Sequence, residues 1–235
     1  MLAIFKKEMR GYFTGVVGYV FLVLFLTVAG LVFAYTTLFS MTADVTSYFT
    51  FMLLFSAIAL PILTMKTFSE EKKMKTEQLL LTAPVSIPAM VIGKFLAAYA
   101  MFGGAVLFSA LYFLFLIPYA PIKVAVLLGN LVALLLVGMV FITIGLFVSA
   151  LTENQLSAAV GTIAIILGFL GIGLLSSITP SEYWIRFVLD SLSIWTRFAN
   201  FTSGYFELSG FVYYISIAAV FLYFTIRVYD RRRYN

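Results

Sequence analysis

Six long apolar runs without a single charge constrain this chain more than any other feature. They cover residues 11–43, 45–65, 95–122, 124–152, 154–181 and 208–226. About 20 apolar residues allow a helix to cross a hydrocarbon core roughly 30 Å thick. Each run therefore predicts one membrane-spanning helix, because even the first run is too short for two helices and a turn.

The predicted fold class is an all-α integral membrane protein that forms a single transmembrane domain over residues 1–235. The six spans are predicted at about 16–39, 47–65, 92–117, 124–149, 155–176 and 209–228. Membrane-spanning strands are not expected, because the runs lack alternation and far exceed the ~10 residues of a barrel strand.

Composition supports a membrane protein and argues against a catalytic one. Charged residues make up 11 % of the chain, whereas a soluble domain carries about 25 %. There is no Cys and no His. A thiol nucleophile or thiolate metal site is therefore impossible, and the commonest general base and metal ligand is missing. We expect no catalytic residues, no metal site and no cofactor bound by this chain.

The basic residues predict the orientation of the chain. With six spans, both termini lie on the same side as the 66–94 region and the 152–155 turn. That side carries 12 of the 15 basic residues. By the positive-inside rule, we expect both termini in the cytoplasm.

The amino-terminal segment 1–14 is predicted to be an amphipathic helix lying at the inner membrane interface. Its apolar face comprises Leu2, Phe5, Met9, Tyr12 and Phe13, and its basic face comprises Lys6, Lys7 and Arg10. A basic apolar helix of this kind binds the plane of the interface. It either helps to hold a cytoplasmic partner or serves only as a basic flank that orients the first span.

The segment 180–207 between the fifth and sixth spans contains both Trp residues of the chain. On a helical wheel its polar stripe is narrow and its apolar face is wide. The stripe contains Arg186, Asp190, Ser193 and Arg197, and the apolar face includes Trp184 and Trp195. This pattern predicts either a re-entrant element at the outer exit of a transport path or an ordinary outer loop anchored by aromatic rings.

A charged island, "TFSEEKKMKTEQLLLTAPVS", interrupts the apolar chain between the second and third spans. The spacing of Thr67 and Glu70 matches a capping box. Glu71 and Lys75 are four residues apart in the order that stabilises helices. The island therefore predicts a helix over 67–83.

The charges of this helix point in all directions from Glu70 to Glu77, and an apolar run follows them (Leu79, Leu80 and Leu81). A helix that is polar all round needs either solvent or a polar partner. We interpret it as a helix between a cytosolic protein and the membrane domain, with a solvated loop helix as the alternative.

The chain lacks a nucleotide-binding P-loop. Its only Gly-Lys pair, Gly93–Lys94, is followed by Phe95 rather than Ser or Thr. The motif requires G-x-x-x-x-G-K-[ST]. If transport is driven by ATP, another polypeptide must bind the nucleotide.

The stretch "FSEEKKMKTEQLLLTAPVSIPAMVIGKFLA" resembles membrane permeases of ABC exporters of the second type, especially the gliding-motility and copper-maturation branch. The matching residues are Phe68, Glu71, Lys72, Lys73, Thr76, Glu77, Leu79, Leu80, Pro84, Val85, Ser86, Gly93 and Lys94. One departure is Lys75, where the family usually has Gly. Since Lys favours helix more than Gly does, we expect this change to strengthen the helix.

The resemblance implies two permease subunits, identical or close paralogues, in a bacterial or archaeal cytoplasmic membrane. Two ABC ATPase subunits would lie below them and hold ATP and Mg, and no nucleic acid would be involved. The 67–83 helix would be the coupling helix, 1–14 the connecting helix and 180–207 a pair of re-entrant helices. The residues expected to couple to the ATPase are Phe68, Glu70, Glu71, Lys75, Thr76, Glu77, Leu79 and Leu80.

The function that these features favour is the permease subunit of an ATP-driven ABC exporter. Two alternatives stay open at this point. The chain could anchor a cytosolic protein without transporting anything, or act as an energy-independent carrier or scramblase.

Overall fold

A computed structural model describes residues 1–42, 44–78, 85–116, 123–178, 184, 190–202 and 208–234, and in this part the chain is helical. The second helix continues as a π-helical turn over Ala34–Phe39. The α-helices are α1 Leu2–Thr14, α2 Val16–Phe33, α3 Val45–Thr64, α4 Lys66–Lys73, α5 Ile87–Leu114, α6 Val124–Leu151, α7 Gln155–Ile178, α8 Ile194–Thr202 and α9 Leu208–Tyr234.

The described residues contain six helices that are long and apolar enough to cross a membrane. They are α2 with its π-helical turn, α3 continued by α4, α5, α6, α7 and α9. The prediction of an all-α membrane protein with six spans is confirmed. The third span begins at Ile87 rather than 92, because Pro88 fits the first turn of a helix, where no intrahelical partner is needed for its missing N–H.

Helix α6 lies at the centre of the bundle and contacts α3, α5, α7, α8 and α9. Its sequence is apolar on every face, and a helix of this kind is stable only when other helices surround it. The helices α2, α7 and α9 lie at the periphery and keep much of their apolar surface uncovered.

Glycine allows α6 to approach its neighbours closely. A Cβ atom at Gly145 would lie 2.1 Å from Thr64 Oγ1 and 2.9 Å from Thr64 Cβ, on α3. A Cβ atom at Gly138 would lie 1.9 Å from Cε1 of Phe102, on α5. These two positions therefore set the distances from α6 to α3 and to α5.

The segments predicted to share one side of the membrane meet at one end of the bundle, here called the basic end. Lys7 of α1 is 3.2 Å from Glu71 of α4, and Lys72 of α4 is 3.3 Å from Glu153 in the α6–α7 turn. The carboxyl-terminal part of α9 joins the same end. That the basic end faces the cytoplasm stays a prediction.

At the opposite end, α8 packs against α6 and α7. A Cβ atom at Gly173 of α7 would lie 2.6 Å from Ser193 Oγ. The buried side of this segment comprises Ser193, Ile194, Phe198 and Phe201. The segment therefore folds back onto the bundle, as a re-entrant element would.

The residues predicted in the outer segment take different positions. Trp184 is 78 % exposed, and Trp195 and Asp190 are half-buried. The guanidinium of Arg197 donates to Ser209 Oγ at 3.1 Å. Arg186 lies outside the described residues. Their role at the exit of a transport path stays a prediction.

Glycine contacts generate a test of the α3–α6 packing. Gly145→Ala should lower stability by about 1–3 kcal/mol, because the added methyl overlaps the β-branched Thr64. Gly104→Ala, a matched helical position with nothing within 4 Å, should raise stability by up to about 1 kcal/mol through helix propensity. Thermal unfolding of the purified chain in detergent checks both signs, and equal effects at the two positions would contradict this packing.

Candidate functional site

Helix α4 continues from α3 through a bend at Met65, and Ser149 of α6 stabilises that bend. The backbone N–H groups of Phe68 and Ser69 both donate to Ser149 Oγ at 3.1 Å. The Ser149 hydroxyl in turn donates to the Met65 carbonyl at 3.0 Å. The first N–H groups of a helix lack intrahelical partners, so Ser149 supplies what a capping side chain would supply.

The capping box predicted at Thr67 and Glu70 is therefore wrong. Thr67 is not the residue before the helix, because α4 begins at Lys66 as an extension of α3 and its N-terminal cap position is Met65. The acceptor for these N–H groups is Ser149 of α6. Residue spacing within the island cannot predict a partner that comes from another helix.

Lys94 of α5 is the centre of the basic end, although its side chain is only 1 % exposed. Its Nζ is 3.0 Å from Glu8 Oε1 and 2.9 Å from Glu71 Oε1. It also donates to the Thr67 carbonyl at 2.9 Å. A buried ammonium group needs such partners, because removing it from water costs several kcal/mol.

Lys7 completes this group by its 3.2 Å contact with Glu71. We call Lys7, Glu8, Glu71 and Lys94 the Lys94 cluster. It contains two positive and two negative groups and joins α1, α4 and α5. Three segments that are distant in sequence are thereby held at one point.

Gly93, the residue before Lys94, allows α1 to reach this cluster. A Cβ atom at Gly93 would lie 3.1 Å from Ile4 Cγ2 and 3.3 Å from the Met1 carbonyl oxygen. Both residues of the Gly-Lys pair thus serve to hold α1 against α5. Gly93 leaves space for the backbone of α1, and Lys94 binds Glu8 of α1.

A second set of contacts holds α4 from the opposite side. The Arg232 guanidinium of α9 donates to Glu77 Oε1 at 3.0 Å and to the Ala150 carbonyl at 2.7 Å. It also lies 5.3 Å from the centre of the Tyr229 ring. The Tyr229 ring is 4.9 Å from the ring of Phe68.

Phe68 links the two sets of contacts. Its ring is fully buried, and its other neighbour is Lys94 Nζ, 5.0 Å from the ring centroid. An ammonium group over an aromatic face is attracted by the ring electrons. Phe68 therefore lies between Lys94 and Tyr229, in the middle of the basic end.

The predicted continuous helix over 67–83 is not observed, because α4 ends at Lys73 and a turn follows. Lys75 has a φ of 56°, in the left-handed region. The i,i+4 pair of Glu71 with Lys75 is not formed, since Glu71 binds Lys94 and Lys7 instead. Tertiary partners compete successfully with a local pair that is worth only about 0.2–0.5 kcal/mol.

The expectation that Lys75 strengthens the helix is also wrong. The left-handed region favours Gly, because a Cβ atom there approaches the following carbonyl oxygen. The Gly that the resembling family usually has at this position fits the turn, and Lys75 occupies it under strain.

The residues predicted to couple to an ATPase differ in their access to solvent. Phe68 is buried, whereas Glu71 and Glu77 are ion-paired within the chain. Glu70 is half-buried, and Lys75 and Thr76 are exposed together with Lys73 and Met74. Leu79 and Leu80 lie outside the described residues. Within the described residues of the island, the exposed turn 73–76 forms a surface that a partner can reach.

The amino-terminal helix forms as predicted over Leu2–Thr14. Phe5 and Met9 pack partly against the core, and Lys6, Lys7 and Arg10 are exposed. Leu2 and Phe13 are exposed, and α1 packs against α5. That the exposed apolar residues of α1 lie in the membrane interface stays a prediction.

The face of α1 that turns towards the other helices was not predicted as such from the sequence. It consists of Ile4, Glu8 and Tyr12, spaced four residues apart. Burial raises the pKa of Tyr12 to about 12, and the neighbouring Thr67 hydroxyl opposes part of that rise. Glu8 is the one acidic residue among the first 43, and this isolation is the signal that could have identified it.

The strain at Lys75 generates a test at one position. Lys75→Gly should raise stability by about 1 kcal/mol, because Gly adopts the left-handed region without the Cβ contact. Lys75→Ala keeps the Cβ atom and should give no such gain. Amide hydrogen exchange over residues 66–78 and the unfolding temperature measure the effect. If the unfolding temperature were highest with Ala at position 75, lower with Lys and lowest with Gly, a continuous helix would be indicated instead.

The Lys94 cluster generates a second test. Lys94→Met should lower stability by about 3–5 kcal/mol, because it removes the buried cation and leaves two carboxylates with only the exposed Lys7 to pair with. Adding Glu8→Gln and Glu71→Gln should restore much of that loss. Lys73→Met, at an exposed position, should change stability by about 0.5 kcal/mol or less. Thermal unfolding in detergent checks the series, and absence of any rescue would contradict the ion pairing.

Comparison with known proteins agrees with this architecture. The chain matches the family model described as ABC-2 family transporter protein over residues 2–232. A search of curated proteins found no significant match. Members of the matched family are multi-pass, typically non-catalytic permease subunits that associate with ABC ATPases. The branch within the family stays a prediction. Because the match covers nearly the whole chain, this protein belongs to the ABC-2 family of transporter proteins.

Proposed function

We propose that this chain is the permease subunit of an ATP-driven exporter, and that two permease copies form the path above two separate ATPase subunits. The observation that carries the proposal is the position of α4 at the basic end. It is bound by α1, α5, α6 and α9, and within the described residues it is followed by an exposed turn, 73–76, that a partner can contact.

A displacement of this turn would be passed on to several spans at once. The Lys94 cluster connects α4 to α1 and α5. Ser149 connects it to α6, and the Glu77–Arg232 pair connects its end to α9. Coupling requires that the ATPase bind the turn differently in its two states. The surrounding contacts then make α4 move with its neighbours rather than alone.

The uncovered apolar faces support a second permease copy. On α2 the exposed side chains include Val16, Val23 and Leu31, and on α7 they include Leu156, Val160 and Leu167. The spans corresponding to α2, α3 and α7 form the subunit boundary in the family that the sequence resembles. Lipid would cover the outward-facing parts that the second copy leaves free.

Orientation follows from charge. The basic end carries most of the Lys and Arg residues, so the positive-inside rule places it in the cytoplasm. This is the side on which an ATPase meets its nucleotide. The packing of α8 on α6 and α7 would then lie at the outer exit of the path.

The exposed turn provides the test of coupling. Met74→Asp should abolish co-purification of the ATPase that accompanies the wild-type chain and lower ATP turnover at least tenfold. The reason is that Met74, 66 % exposed, is the one large apolar side chain on an otherwise polar turn. Met41→Asp is the matched control, since Met41 is 92 % exposed at the opposite end. It should leave assembly and turnover unchanged.

Each outcome of this experiment bears on the proposal. Wild-type assembly and turnover in the Met74→Asp variant would contradict a contact at the turn 73–76. Co-purification of a cytosolic protein without ATP turnover would favour the membrane anchor instead. Transport by the wild-type chain in vesicles without ATP would favour the energy-independent carrier.

A further inference from the structure

A cavity of about 460 Å³ opens at the basic end between α1, the start of α2 and the α3–α4 junction. This volume lies within the range of roughly 300–1,000 Å³ that is typical of small-molecule sites. Its apolar lining residues are Val16 and Val17 at the start of α2 and Leu63 near the end of α3. Its polar lining comes from one face of α4 (Lys66, Thr67, Glu70 and Glu71) and from α1 (Lys7, Glu8 and Tyr12).

The charges around the cavity leave one cation and one anion unused. Lys7, Glu8 and Glu71 also face it, but they neutralise one another and Lys94 within the Lys94 cluster. Lys66 and Glu70 are half-buried, and neither forms an ion pair with any described residue. They lie one helical turn apart, with roughly 5–6 Å between Cβ atoms. The cavity therefore has no net charge but presents two separate charges of opposite sign.

Thr67 adds a buried donor to the polar lining. Its side chain is 7 % exposed. Its hydroxyl is close to the side chain of Tyr12, which also lines the cavity, but makes no hydrogen bond of good geometry with a described residue. Buried hydroxyl groups almost always have a partner. Thr67 lines the cavity beside Lys66 and Glu70, so a ligand oxygen there can accept from its hydroxyl.

We propose that this cavity binds the headgroup of a phospholipid that carries both a phosphate and a primary ammonium group, of the phosphatidylethanolamine class. The phosphate binds Lys66 and the Thr67 hydroxyl, and the ammonium group donates to the Glu70 carboxylate. The glycerol end contacts Val16, Val17 and Leu63. Two methylene groups separate phosphate from ammonium, a spacing that matches one helical turn.

The chemistry of the polar lining also distinguishes this headgroup from its alternatives. A choline headgroup has no N–H to donate to Glu70. A glycerol headgroup carries a net negative charge and has no cation to offset Glu70, so that carboxylate repels it. Only a zwitterion with a donating ammonium group satisfies Lys66, Thr67 and Glu70 together.

The test measures lipid affinity of the full-length chain, purified in detergent and stripped of lipid. Phosphatidylethanolamine, phosphatidylcholine and phosphatidylglycerol with identical acyl chains are compared. We expect phosphatidylethanolamine to bind most tightly. Lys66→Gln and Glu70→Gln should each weaken its binding about tenfold or more, as expected for loss of a charge-assisted hydrogen bond. Glu70→Gln should at the same time tighten binding of phosphatidylglycerol, a change that general misfolding would not produce.

Lys73→Gln is the matched control, because Lys73 lies on α4 but does not line the cavity. It should bind phosphatidylethanolamine as the wild type does. Equal affinity for the three lipids, or wild-type behaviour of both Lys66→Gln and Glu70→Gln, would overturn the proposal. If glycerophosphoethanolamine without acyl chains bound as tightly as the lipid, a soluble phosphoamine would replace the lipid as ligand. The measurement needs no ATPase, so its outcome is independent of the proposed coupling.

Discussion

Burial of the Lys94 ammonium group is the constraint on which the basic end depends. At 1 % exposure this group cannot be hydrated, so it requires carboxylates and carbonyl oxygens close by. Glu8 comes from the amino-terminal helix and Glu71 from the island. The three helices that carry these groups must therefore meet, and Gly93 provides the space in which they do.

The stability of α4 comes from its neighbours and not from its own sequence. Its eight residues extend α3 and would be too few to form a stable helix on their own in water. The Lys94 cluster holds one side of it, and Ser149 holds its first N–H groups. On the other side Tyr229 packs on Phe68, and Arg232 binds Glu77 beyond the helix end. Together these contacts come from four helices, α1, α5, α6 and α9.

The number of spans and their grouping at the basic end were predictable from sequence. Hydrocarbon thickness fixes the length of a span, and charge distribution fixes which ends belong together. The interior of the basic end was not predictable in the same way. Local spacing assigns Glu71 to Lys75, but Lys94 in α5 offers a desolvated and therefore stronger partner. The strain at Lys75 was missed for the same reason, since helix propensity says nothing about where tertiary contacts end a helix.

The charges of the island have a different purpose from the one that their density suggests. Glu71 and Glu77 form ion pairs within the chain, and among the described residues of the island the short turn 73–76 is exposed. A buried ion pair contributes little net stability but fixes the relative position of the groups that form it. In the proposed mechanism this keeps α1, α4 and α5 together as one body. Helix α2 is joined to that body through Gly15, whose backbone is extended (φ −91°, ψ 161°). A change in the tilt of α2 therefore needs no break in the Lys94 cluster, and Gly15 is where we expect the first span to pivot.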